Sequence, residues 1–169
     1  MGCLRDTFIF TYFKYSLTNF KKYDIIVVWG LIDIPRREVI CVDFIKYNAN
    51  PKGRKTGDCV IRAICTALNE PWEETYKGML EVALDTGYAI SCTDNFTEYL
   101  SRKGYEKQKM PKKDTGKKYT VEEFADVIAK PKKVYVVNIC NHTTVIKNKN
   151  LYDLWNCGRK SVLNYWIIK

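Results

Sequence analysis

The sequence lacks several features that define broad protein classes: it has one histidine, no closely spaced pair of cysteines and no long apolar run. Its longest apolar stretch, residues 25–34, contains Asp33 and is far shorter than the roughly 20 residues of a membrane-spanning helix. The seven cysteines are an odd number without a C-x-x-C pair, which argues against a complete disulfide framework and against a zinc ribbon. These absences predict a soluble, cytoplasmic protein with no membrane partner.

What remains is an ordinary globular composition. The 169 residues are 46% hydrophobic and 28% charged, which fits one folded domain with a short extension. Residues 1–43 are crowded with aromatic side chains that lack a clear period, so we interpret them as an N-terminal extension of uncertain structure and expect the domain over residues 44–169. The net charge of +9 favours an anionic partner such as nucleic acid, although it also serves solubility.

Helical periodicity begins after a polar loop that is rich in glycine and proline. Asp58 is a favourable N-cap, Cys59 is then the first helical residue, and apolar residues follow at helical spacing to Leu68. Three more helices are predicted: from Pro71 to about Gly87, from Thr93 or Asp94 to about Gly104, and, after a lysine-rich loop, from a Thr120–Glu123 capping box to Ile128.

The last forty residues are rich in β-branched side chains and predict strands over residues 134–140, 143–147, 151–155 and 161–167. Helices first and strands last indicate an α+β fold, in which an N-terminal helical half packs on a C-terminal antiparallel β-sheet.

Cys59 is the first candidate for chemistry. At the first position of a helix, the exposed backbone amides and the positive end of the helix dipole favour thiolate over thiol. The plainer interpretation is a buried structural cysteine, since free cysteines are among the most buried residues.

His142 is the only histidine of the chain, so it is the only imidazole that can act as a general base. It lies at the start of a predicted strand, 83 residues after Cys59. A lone histidine is often structural, but a cysteine followed by a distant histidine is the order expected when a helical half and a sheet form a cleft between them.

The residue that would orient His142 depends on a hairpin register. A two-residue turn at residues 148–149 places Asp153 opposite Thr144, diagonal to His142 on the same face. A three-residue turn instead moves Asp153 to the other face and brings Asn156 opposite His142. Asp153 is therefore the first candidate and Asn156 the alternative.

The same two-residue register raises a competing hypothesis. It places Cys140 opposite Cys157, on the face of His142 and Asp153, so these four residues could form a metal cluster. The C-x-H spacing lacks the signature of structural zinc sites, and we therefore expect no metal and no cofactor.

Three short segments carry a family resemblance: residues 57–63, 141–145 and 152–157 resemble the papain-like cysteine peptidase superfamily, especially small phage and bacterial members related to the bacteriocin-processing peptidases. The likeness covers residues 44–169. It implies a papain-like fold in which Cys59 is the nucleophile, His142 the general base and Asp153 the residue that orients it. A phage-encoded member would act in the host cytoplasm.

The resemblance departs from the family at the oxyanion donor. Papain-like enzymes often use a glutamine shortly upstream of the nucleophile, and residues 48–58 contain none. The amide of Cys59 is the natural first donor, and Asn50, Lys52 or Thr56 would have to supply the second unless a backbone amide alone suffices. Residues 1–43 match nothing associated with the family.

These features predict a cysteine peptidase-like hydrolase that cleaves a peptide or amide bond through a thioester, with a peptide or protein as substrate. The same machinery serves deamidation and acyl transfer. Two alternatives stay open. The lysine-rich runs between residues 107 and 133 suggest a non-catalytic module that binds nucleic acid, although they lack the regular aromatic spacing of a base-stacking surface. The other alternative is an inactive papain-like interaction protein.

Overall fold

The computed structural model describes residues 42–55 and 57–168. Nearly all of the segment interpreted as an N-terminal extension, residues 1–43, therefore lies outside the described residues. The first strand among the described residues begins at Phe44.

The described chain folds into four helices and one six-stranded sheet. In chain order the elements are β1 (Phe44–Lys46), α1 (Cys59–Leu68), α2 (Trp72–Thr86), α3 (Thr93–Arg102), β2 (Lys107–Lys109), α4 (Val121–Glu123) with a π-helical turn (Phe124–Ile128), β3 (Val134–Ile139), β4 (His142–Lys147), β5 (Asn150–Asp153) and β6 (Val162–Ile168). The α+β class is confirmed. The strand order is β1-β5-β4-β3-β6-β2, and β1 runs parallel to β5, so the sheet is mixed rather than purely antiparallel as predicted.

Helix α1 begins and ends where its sequence pattern predicts. Its apolar stripe is buried, and Asn69 ends the helix in the left-handed conformation, with its amide donating to the Cys65 carbonyl. The role predicted for Asp58 is corrected: it occupies the N-cap position, but its carboxylate makes no capping hydrogen bond. That carboxylate instead forms an ion pair with Arg62, one turn along the helix.

The other helices follow the predicted order with changes at their ends. Helix α2 ends at Gly87, as predicted. Helix α3 begins at Thr93, and the cap is the Cys92 sulfur, which accepts from the Asn95 amide at 3.4 Å. The Thr120–Glu123 capping box is confirmed, but only three α-helical residues follow it before the backbone widens into the π-helical turn. None of the described helices is long and apolar enough to cross a membrane.

Alternating side chains of the sheet form two hydrophobic cores. On one face, Val136, Val145 and Trp166 pack with the buried residues of α1, α2 and α3. On the other face, Val137 and Ile146 pack with the residues of α4 and its π-helical turn. Because α1 packs across β4, its amino end lies where β4 begins and β5 ends.

Candidate active site

Cys59 occupies the first position of α1 and is half-buried. The preceding Gly57 has a φ of 82°, a left-handed conformation that favours glycine and turns the loop into the helix. The first amides of a helix have no acceptor within the helix and point out of its amino end. The Cys59 sulfur therefore lies at the positive end of α1, where it also accepts a hydrogen bond from the backbone amide of Thr143 on β4.

His142 is placed by a tight hairpin. Strands β3 and β4 pair from Ile139 and His142 outward, so residues 140 and 141 form a two-residue turn in which Asn141 has a φ of 55°. His142 is thus the first residue of β4, and its side chain is only 11% exposed.

Asp153 lies beside His142 because of the second hairpin. Strands β4 and β5 pair Lys147 with Asn150 and Val145 with Tyr152, which confirms the two-residue turn. The next pair in this register is Thr144 with Asp153. The result is a hydrogen bond of 2.6 Å between Nε2 of His142 and Oδ2 of Asp153.

The same register decides against the alternative residue. Asn156 would face His142 only with a three-residue turn, and that register is wrong. Asn156 is instead exposed, and its Oδ1 accepts from the backbone amide of Gly158 at 2.9 Å.

The three candidate residues shift one another's pKa values. Burial raises the pKa of the Cys59 thiol, but hydrogen bonds from His142 and the Thr143 amide, with the charges of His142 and Arg62, lower it below its ordinary value. Burial lowers the pKa of His142, whereas its hydrogen bonds and charge interactions with Asp153 and Cys59 raise it to about 9.

Asp153 completes this charge arrangement. Burial raises its pKa, but the bonds to His142, to Thr144 and to the Leu154 amide bring the pKa of the carboxyl below its ordinary value. Compared with isolated side chains, the arrangement therefore favours the thiolate of Cys59, the imidazolium of His142 and the carboxylate of Asp153. Since Nε2 of His142 faces Asp153, Nδ1 is the nitrogen left for the sulfur.

A buried polar cluster supports the loop in front of Cys59. The Nδ2 of Asn50 donates to Oδ2 of Asp58 at 2.5 Å, and the other oxygen of Asp58 pairs with Arg62. All three residues are 7% exposed. The cluster fixes the residue that precedes Cys59, and it leaves the Arg62 charge close enough to act on the Cys59 thiol.

The three oxyanion candidates have different surroundings. Asn50 is buried, and its side-chain amide donates to Asp58. Because Asp58 directly precedes Cys59, the Asn50 side chain lies near the amino end of α1. The Lys52 side chain is exposed, and its backbone amide donates to Oδ1 of Asn50 at 2.8 Å. Thr56 lies outside the described residues.

Two further side chains contact the candidate pair. The ring of Trp155 packs against that of His142, with the centroids 5.2 Å apart, and shields one side of the imidazole. The buried Cys157 thiol donates to Oδ2 of Asp153 across 3.7 Å. Burial, the charge of Asp153 and its hydrogen bond raise the pKa of Cys157 to about 12, so this sulfur stays a thiol.

The hypothetical metal cluster forms only in part. The ligand atoms of His142, Asp153 and Cys157 lie within 4.8 Å of one another. Cys140 is exposed in the β3–β4 turn rather than paired with Cys157, so that expectation is wrong. A tetrahedral zinc ion, about 2.1 Å from each ligand, separates its ligand atoms by about 3.4 Å. The 2.6 Å between His142 and Asp153 therefore fits a hydrogen bond better than a shared metal.

Sequence reasoning missed several partners. The i, i+4 spacing of Asp58 and Arg62 was a usable signal for their ion pair. The contacts of Trp155 and Cys157 had no such signal, because they depend on how residues 154–157 fold back after β5.

Comparisons with protein-family models, with curated proteins and with solved structures find no match for this chain. Geometry alone therefore identifies the candidate site: a sulfur at a helix end, an imidazole, and a carboxylate that holds the imidazole. Such a set can form and hydrolyse a covalent acyl intermediate.

Proposed function

We propose that this protein is a thiol-dependent hydrolase of peptide or amide bonds, with a papain-like arrangement of its helix and sheet. Cys59 is the nucleophile, His142 the general acid and base, and Asp153 the residue that orients His142. The observation that carries the proposal is the 2.6 Å bond between His142 and Asp153, which leaves the other ring nitrogen for the sulfur at the end of α1.

The reaction follows from the charges at neutral pH. The Cys59 thiolate attacks the carbonyl carbon, and the carbonyl oxygen becomes an oxyanion. The His142 imidazolium then gives its proton to the leaving amine as the C–N bond breaks, which leaves a thioester on Cys59. His142 next takes a proton from water, the hydroxide attacks the thioester, and the acid product leaves with Cys59 restored.

The oxyanion requires donors at the end of α1. The backbone amide of Cys59 is one, because it lies at the helix amino end. Asn50 is the best supported side-chain donor of the three candidates. Its Nδ2 has two hydrogens, of which Asp58 takes one, and the buried cluster holds the group still.

The alternatives keep weaker support. A module that binds nucleic acid without catalysis would explain the lysines but not the coupled sulfur, imidazole and carboxylate. An inactive papain-like interaction protein would need no thiolate, whereas the surroundings lower the pKa of Cys59. Absence of activity in the experiments below would support one of these two alternatives.

The decisive experiment gives the protein a broad mixture of peptides and analyses the products by mass spectrometry. New termini identify a peptidase, a mass increase of about 1 Da at Gln or Asn identifies a deamidase, and joined peptides identify an acyltransferase. We expect such products from the wild-type protein and from Cys140→Ser, which removes an exposed thiol. We expect none from Cys59→Ala and far fewer from His142→Ala.

A cysteine-directed probe separates an unsuitable peptide mixture from an inactive site. The probe should modify Cys59 at neutral pH, and His142→Ala should abolish that modification. If Cys59 is no more reactive than Cys140, and His142→Ala changes nothing, the hydrolase proposal is wrong.

A further inference from the structure

Two basic segments flank the candidate residues in sequence. Residues 44–57, which lead into Cys59, contain four cations and no carboxylate, and residues 154–160, which follow Asp153, contain two cations and no carboxylate. All six side chains are on exposed residues: Lys46, Lys52, Arg54, Lys55, Arg159 and Lys160.

Three carboxylates adjoin these segments in sequence. Asp43 is exposed but lies beside Asn150, at the end of β5 opposite Asp153. Asp58 and Asp153 are both buried and are engaged with Arg62 and His142. Among the described residues, none of the six cations lies within 4.0 Å of a carboxylate. Residues 44–57, which we call the rim of the site, are therefore positive at neutral pH.

Residues 107–133 are also basic, whereas the segment of α2 and α3 has the opposite charge balance. Residues 70–106, which form α2 and α3, contain eight carboxylates and only three cations. Two of those cations are paired: Arg102 binds Asp85 and Glu98, and Lys103 binds Glu70. The segment of α2 and α3 is therefore negative, whereas the rim of the site is positive.

Backbone contacts hold the rim cations in place. Lys46 on β1 is in register with Asp153 on β5. Farther along, Nδ2 of Asn48 donates to the Arg54 carbonyl at 3.1 Å, and the Lys52 amide donates to Asn50. This loop is therefore tied to the polar cluster in front of Cys59 and carries its charges beside the nucleophile.

We infer that the substrate is acidic: a peptide segment with Asp or Glu side chains close to the bond that is cleaved. The inference rests on the proposed function, because only an acyl group suits the thiolate and nucleic acid offers none at its phosphates. Carboxylates of the peptide would pair with the cations of the rim. The positive field of these cations would also raise the local concentration of the peptide.

The test compares two alkylating reagents at Cys59, anionic iodoacetate and neutral iodoacetamide, with modification measured at that residue by peptide mass mapping. Replacing Arg54 and Lys55 by glutamine should lower the ratio of the iodoacetate rate to the iodoacetamide rate about threefold at low ionic strength, and less at physiological salt. The matched control is Lys132→Gln with Lys133→Gln, which removes the same charge at the far end of the β4–β5 hairpin.

A second arm identifies the anion. Poly-glutamate should slow the reaction of Cys59 with iodoacetamide in the wild type more than in the Arg54→Gln, Lys55→Gln variant, and poly-lysine should not slow it. Protection by DNA but not by poly-glutamate would show that the anionic partner is a nucleic acid, and it would overturn the inference.

The two proposals fail in different ways. An unchanged reagent ratio, or an equal fall in the control, overturns the acidic substrate while Cys59 keeps a high rate with iodoacetamide that depends on His142. Loss of that high rate in the wild type itself contradicts the hydrolase.

Discussion

Helix α1 contains two cysteines with opposite chemistry, one at its amino end and one in its interior. At the amino end, the surroundings lower the pKa of the Cys59 thiol, whereas one and a half turns later burial raises the pKa of Cys65 to about 11. Cys65 also lies within reach of the Asp58 charge, which raises its pKa further, and its sulfur donates to the Arg62 carbonyl at 3.3 Å. The helix is the same, so the difference comes from what each sulfur contacts.

Cys157 sharpens this comparison, because it lies in the candidate site itself and is still held as a thiol. Its sulfur donates to the carboxylate of Asp153, and burial with the Asp153 charge raises its pKa even though a ring nitrogen of His142 lies within 4.8 Å. Proximity to the site is therefore insufficient. A thiolate is favoured by positive partners, and of these three thiols only that of Cys59 has its pKa lowered, by His142, the Thr143 amide and Arg62.

Removing the imidazole should make Cys59 resemble Cys65. In His142→Ala the strongest group that favours the thiolate is lost, so the pKa of Cys59 should rise and turnover should fall about 10²- to 10⁴-fold, the usual contribution of a general acid or base. The measurement is the rate of peptide hydrolysis together with the pH dependence of alkylation at Cys59. Added imidazole should restore part of the rate. An unchanged pH dependence would mean that His142 does not act on the sulfur.

Removing the carboxylate should have a smaller effect on turnover. Asp153→Asn keeps the shape but loses the negative charge, so His142 is no longer held as an imidazolium, and we expect a loss of about 10²-fold. His142 is the only histidine, so NMR of its ring protons gives a single titration curve. The pKa should move from about 9 toward the ordinary 6.5. A variant that titrates as the wild type does would show that Asp153 does not orient the ring.

The contributions of His142 and Cys59 to the free energy of unfolding depend on pH in opposite directions. The pKa of His142 is raised to about 9, so its contribution to stability is complete below pH 6.5 and is lost as the pH rises through 9. The pKa of Cys59 is lowered, so its contribution is complete above pH 9 and is lost as the pH falls. In the wild type these trends oppose each other.

The Cys59→Ala variant should expose the histidine trend alone. Its free energy of unfolding should fall by about 1–2 kcal/mol from pH 6.5 to 9, because Asp153 still raises the pKa of His142, while the wild type changes less. Urea unfolding at three pH values measures this. Equal slopes in the two proteins would contradict an ion pair between Cys59 and His142.

Local signals in the sequence were sufficient for the central part of the site. Helical periodicity placed Cys59 first in α1, and the predicted hairpin reduced the orienting residue to Asp153 or Asn156, between which the observed two-residue turn decides. Both are short-range features, since a helix start and a two-residue hairpin each depend on neighbours in sequence.

Long-range contacts were beyond that reasoning. Strands β1 and β2 have three residues each, too few to show a period of two, and β1 gains its place by pairing with β5 about a hundred residues later. The Cys140–Cys157 pairing failed for a related reason, because the chain leaves β5 at Asp153 and turns before that register can continue.

The smallest expected effect lies at the inner part of α1. Cys65→Ala removes a sulfur that is 2% exposed, so it leaves a small cavity and should lower the free energy of unfolding by about 1 kcal/mol. The reaction of Cys59 with iodoacetamide should be unchanged, because Cys65 gives the nucleophile neither charge nor hydrogen bond. Urea unfolding and alkylation rates measured on the same variant test both statements. If the alkylation rate fell as far as it does in His142→Ala, the reactivity of Cys59 would depend on the packing of the whole helix rather than on the groups at its amino end.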